Sequence, residues 1–176
     1  MYFSLPHIAT VYEAFQHAET LTETYFGLGD RGLKAHKYEV KTLAQLEEHE
    51  RSHGAFAHLC RYYYQKDGRI NHPDNYYFFK ICLQDDHILD AVKRGETYVK
   101  LAPLMLYIAI HELVHVVRFN RGDSDFDAAC EARQEEEERV HSITRNILRP
   151  VPRSDLNLVL ECFSDRYRLG DMFSLQ

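Results

Sequence analysis

The sequence predicts an α+β fold, a mainly helical single domain over residues 1–176 in which a small antiparallel hairpin packs beside a buried helix. Three observations carry this expectation. Apolar residues recur at three- and four-residue steps along most of the chain, one pair of Tyr-rich runs alternates instead, and no linker, repeat or low-complexity stretch separates them. With 45% hydrophobic and 27% charged residues, 176 residues suffice for one proper core.

Element by element, Ile8, Val11, Tyr12, Phe15, Ala18 and Leu21 set a helical period from about Pro6 to Phe26, and GLGDRG ends it with loop chemistry. A second helix is expected from about Thr42, a capping residue ahead of LAQLEEHERSH. The runs CRYYYQ and NYYFFKICLQ flank KDGRINHPD, whose Asp-Gly, Asn and Pro favour a turn, so the pair reads as a β-hairpin. A short helix follows around DDHILDAVKRG. Pro103 then opens the most apolar helix of the chain, and Gly122 suits the left-handed position after its last turn. Beyond the acidic loop GDSDFD, a helix is expected from about Phe126 to Leu148, where RPVP stops it because proline cannot continue the hydrogen-bond ladder. SDLNLVLECFSDRYRL forms the last helix, with Ser154 as its cap.

Composition also excludes function classes. A net charge of -6 without a clustered basic surface argues against nucleic acid. The N-terminal MYFSLPHIATVYEAF lacks a basic stretch followed by an apolar run, and LAPLMLYIAI is too short to span a bilayer, so neither targeting nor a membrane is expected. Cys60, Cys82, Cys130 and Cys162 contain no CxxC pair and fit free thiols in a reducing, cytoplasmic compartment.

The pattern His-Glu-x-x-His occurs twice, as HERSH at 49–53 and HELVH at 111–115. On a helix, residues four apart share a face, so two such histidines can present imidazole nitrogens to one ion, while the glutamate between them lies at the edge of the same site. Surroundings discriminate. HELVH sits in IAIHELVHVV, where burying two imidazoles and a carboxylate is costly unless an ion compensates them, whereas HERSH sits in the charged, solvated-looking EEHERSHG.

His111, Glu112, Leu113, Val114 and His115, with Ile108 before them and Val116 and Val117 after, resemble the zinc helix of the zincin metallopeptidases. The resemblance covers about ten residues and the order of elements, strand then zinc helix then ligand helix. It implies His111 and His115 as ligands of Zn2+, Glu112 as general base, and a peptide or protein as substrate. It further implies that a strand before the zinc helix pairs with an extended peptide, for which NYYFFKICLQ is the expected segment. Arg118 and Arg121 stand where the metzincin branch needs Gly and His. The gluzincin branch instead takes a third ligand, a glutamate, from the following helix, and QEEEERVH offers four.

Helix geometry sorts those four. At about 100° per residue, Val140, Ile143, Thr144 and Ile147 mark an apolar face on which Glu136 and Glu137 fall, while Glu135 and Glu138 fall opposite. Glu137 is the expected third ligand, because His141 lies one turn further on the same edge and can steady a ligand or donate to an oxyanion, a role also open to a hairpin tyrosine. Glu136 is the alternative, and Asp123, Asp125 or Asp127 would serve if the acidic loop folded back. Two rival readings remain: a metal-binding module without catalysis, and a di-iron carboxylate bundle using Glu112-x-x-His115 and Glu138-x-x-His141 with Glu13, Glu19 or Glu23.

Overall fold

The computed structural model describes residues 1–29, 31–69, 72–95 and 99–163. Their helices are α1 (Leu5–Phe26), α2 (Asp85–Arg94), α3 (Leu101–Arg121), α4 (Cys130–Leu148) and α5 (Ser154–Cys162), and their strands are β1 (Tyr38–Lys41), β2 (Ala57–Tyr64) and β3 (Tyr76–Leu83). The class is α+β, as the periodicities predict.

Helix α3 is the centre. It is apolar nearly all round, with Leu104, Met105, Leu106, Ile110, Leu113, Val114, Val116 and Val117 buried, and a helix of that kind must be surrounded. By length and apolarity alone it would pass as a membrane span, contrary to the expectation from LAPLMLYIAI; most of it is instead covered by the rest of the chain. Val11, Ala14, Phe15 and Ala18 of α1, Val140, Ile147 and Leu148 of α4, and Leu156 and Val159 of α5 join its core. Gly122 takes the left-handed conformation (φ 73°) that ends α3, which a side chain would resist.

The sheet order is β1-β3-β2, with β1 parallel to β3 and β2 antiparallel to it from Ala57↔Leu83 to Tyr64↔Tyr76. Strand alternation gives the sheet two faces. Ala57, Leu59, Phe79, Ile81 and Leu83 face the α3 side, where the Phe79 ring stacks 5.9 Å from that of Phe119. His58, Cys60, Tyr62, Lys80 and Cys82 share the other face, with Leu43 and Leu46 packed on Cys82. Tyr62–Phe78, Tyr63–Tyr77 and Tyr64–Tyr76 form cross-strand ring pairs 4.7 to 5.5 Å apart that fix the hairpin register.

Four expectations need correction. The stretch after Thr42 is not a helix but two 3-10 turns, Leu43–Gln45 and Glu48–Glu50, because Leu43 and Leu46 alone give too little apolar face to dock one. Helix α4 begins at Cys130 rather than Phe126, since Phe126 packs on Phe79 and Phe119 while Asp125 accepts the Asp127 N–H in a local turn. Ser154 is the first residue of α5 and not its cap, and the final part of the expected helix, from 164 onward, lies outside the described residues. The sheet is mixed, because β1, which no alternation signalled, pairs parallel to β3.

Candidate metal centre

Residues 111 and 115 lie one turn apart on α3 and face α4, where Glu137 lies between them. Its Oε2 is 3.3 Å from His111 Nε2 and its Oε1 is 3.1 Å from His115 Nε2. Donors held about 2.0–2.1 Å from a tetrahedral zinc are about 3.3 Å from one another; each histidine has that spacing to its own oxygen of Glu137, while the donors that lie mutually within 4.8 Å are those of His111, Glu137 and His141. Both Nδ1 atoms are buried without a partner among the described residues, and packing orients the rings: His115 stacks on Phe119 at 5.5 Å and His111 lies 6.4 Å from Tyr107.

Charge is concentrated here. Burial opposes ionisation of Glu137, but the two imidazoles outweigh it and hold the carboxyl well below the usual carboxylate range. Burial likewise works against a charged His115, yet Glu137 raises its pKa above the ordinary histidine value. Glu112, only 5% exposed, lines the same cleft, and burial pushes its pKa upward against the pull of His111 and His115. A carboxylate with raised basicity beside paired imidazoles is equipped to take and return a proton.

The cleft measures about 1110 Å³. One wall is α3 and α4; another is the segment from His53 through Leu59, which leads into the outer edge of β2. Because β3 is bonded to β1 on one side and β2 on the other, NYYFFKICLQ has no free edge over Phe79–Cys82, and the expectation that it could receive an extended peptide is wrong. The strand with an unpaired edge beside the cleft is β2.

Of the two glutamates expected on the apolar side, Glu136 is buried, while Glu137 turns to the histidines from the rim with its side chain 53% exposed. Glu135 and Glu138 are exposed; Glu136 is buried, but its carboxylate grips Arg118 at 2.7 and 2.9 Å instead of facing the histidines. That fork ties α4 to α3 one residue before Glu137. Asp123 and Asp127 engage Arg118 and Arg61, and Asp125 lines the cleft while accepting from Asp127. The carboxylates that a di-iron bundle would need are turned elsewhere: Glu138 to the surface, Glu13 likewise, Glu19 to Tyr38 and Glu23 to the Leu33 N–H.

His141 lies closer to the centre than its sequence position required. Its ring centroid is 4.5 Å from that of His111, and one of its ring nitrogens lies within 4.8 Å of the donor atoms of His111 and Glu137. Its Nδ1 hydrogen bonds with Tyr107 Oη at 2.8 Å, leaving Nε2 for the cleft, and burial with the nearby His111 lowers its pKa to about 3. HERSH is built differently. Its Glu50 is buried, His49 is exposed with Nε2 3.0 Å from Tyr62 Oη, and no helix runs through the motif.

No family model, curated protein or solved structure matches this chain. The site therefore rests on its own geometry.

The sequence reading missed two groups. Arg118 carried a signal, since a cation closing the apolar run IAIHELVHVVR must be paired if buried. Tyr107 stands four residues before His111 and so shares its face, but nothing in its neighbours marked it as more than core.

Proposed function

We propose that this protein is a zinc metallohydrolase, most naturally a peptidase, with His111, His115 and Glu137 as metal ligands and Glu112 as general base. The observation that carries the proposal is the approach of two imidazoles of one helix to the two oxygens of one carboxylate of the next, at 3.3 and 3.1 Å, beside a second, buried carboxylate, Glu112. When bound, zinc supplies Lewis acidity, lowering the pKa of a water and polarising a carbonyl. Glu112 takes the proton of the attacking water and passes it to the leaving nitrogen. The β2 edge receives the substrate backbone by strand addition, with the cleft walls taking its side chains. His141, oriented by Tyr107, donates to the developing oxyanion. Replacing Glu112→Gln tests this: peptide hydrolysis falls about 10²- to 10⁴-fold with zinc content unchanged, and unchanged hydrolysis removes Glu112 from the role.

One observation favours a second reading. His141 is near enough to serve as a fourth ligand, and four protein donors close the sphere and leave no position for substrate. His141→Ala separates the two: as oxyanion donor it lowers kcat with zinc retained, as fourth ligand it releases zinc.

A further inference from the structure

The face of the sheet turned away from α3 carries a second set of donors. Strand alternation puts His58 and Cys60 of β2 on that face, and the antiparallel register sets Cys82 of β3 opposite His58. A ring nitrogen of His58 and the sulfurs of Cys60 and Cys82 all lie within 4.8 Å of one another. Leu43 and Leu46 cover the group and Cys82 is fully buried.

Two details set this apart from incidental packing. The Cys82 thiol donates to the Cys60 sulfur across 3.8 Å, far beyond the about 2.05 Å of a disulfide. It matches the separation of about 3.8 Å between two sulfurs each about 2.3 Å from one tetrahedral zinc. The His58 Nδ1 is buried and has no hydrogen-bond partner among the described residues, although a buried imidazole nitrogen ordinarily finds one. Burial pushes the pKa of both thiols up, so they are held neutral until an ion binds, and Lys80, whose ammonium is 2.5 Å from Glu50, opposes that rise only weakly.

We propose that His58, Cys60 and Cys82 form a binding site for a thiophilic divalent ion of the zinc class, separate from the cluster on α3 and α4. Each thiol loses its proton to solvent as its sulfur binds, so two protons leave per ion and no oxidant or reductant is needed. With three protein donors, the fourth position is left to water. The site tethers β2 to β3 next to the cleft wall formed by residues 53–59.

Cobalt(II) titration of the full, freshly reduced chain tests this. Only a thiolate ligand gives an intense sulfur-to-cobalt charge-transfer band in the near ultraviolet; a histidine-carboxylate site gives weak visible bands alone. The expected result is such a band rising to one equivalent, lost in Cys60→Ser and in Cys82→Ser, altered in His58→Gln, and intact in Cys130→Ser. It also persists in His111→Ala, so it stands whether or not the α3 site holds metal. Absence of the band in the unsubstituted protein, with both thiols reactive to alkylation after unfolding, overturns the proposal. So does a band that survives both cysteine replacements.

Discussion

Residues 111–115 and 49–53 share the pattern His-Glu-x-x-His, yet in the first both imidazoles meet one carboxylate of the neighbouring helix, and in the second the glutamate is the buried member. The difference is the backbone beneath the letters. A continuous helix brings positions i and i+4 to one face, whereas a 3-10 turn running into extended chain sends His49 to solvent and Glu50 inward. In HERSH the buried Glu50 is answered by protein groups, the Lys80 ammonium at 2.5 Å and the Tyr62 hydroxyl, so it calls for no ion. In HELVH the acid in contact with the two rings is Glu137, which itself sits at 53% exposure.

A graded series of substitutions separates the two motifs. The largest effect belongs to Glu112→Gln, with hydrolysis lost about 10²- to 10⁴-fold as above, while Glu50→Gln leaves hydrolysis unchanged under folding conditions. Next, Arg118→Ala leaves Glu136 buried and unpaired and costs about 3–5 kcal/mol in a denaturation experiment. A smaller loss than about 1 kcal/mol would mean that the Arg118 fork does not clamp α4 to α3. Glu50→Ala costs about 2–3 kcal/mol, because Lys80 loses its closest acceptor.

Glu50 also carries a pH signature. Burial opposes its charge, but Lys80, Tyr62 and the Glu47 N–H outweigh it and hold its pKa at about 2. A carboxyl depressed in the folded state contributes stability above its unfolded value, about 4.5, and loses that contribution as pH falls toward about 2. Thermal unfolding of the unsubstituted protein against Glu50→Gln should therefore converge across that window; parallel curves would contradict the assignment. The smallest effects are expected for His49→Ala and His53→Ala, within about 0.5 kcal/mol in stability.

What was legible in the sequence follows the same division. Helical periodicity located α1, α3 and α4, and because a single regular helix carries all four glutamates it separated the buried Glu136 from the exposed Glu135 and Glu138, while Glu137, expected on the apolar side, is exposed at the rim facing the histidines. Aromatic alternation located the hairpin. Groups assembled from distant segments were not legible. The parallel pairing of β1 with β3 depends on chain returning from residue 41 to residue 82, and the meeting of Cys60 with Cys82 depends on hairpin register, which no CxxC spacing announces. The same limit hid the fact that β3 is the middle strand and β2 the open edge.

The most direct measurement of the central claim is zinc content, determined by elemental analysis on protein prepared without a metal-binding tag, for the unsubstituted chain beside His111→Ala, His115→Ala and His49→Ala. The expected result is the loss of one equivalent in each of the first two variants and none in the third. Equal zinc in all four proteins would contradict it.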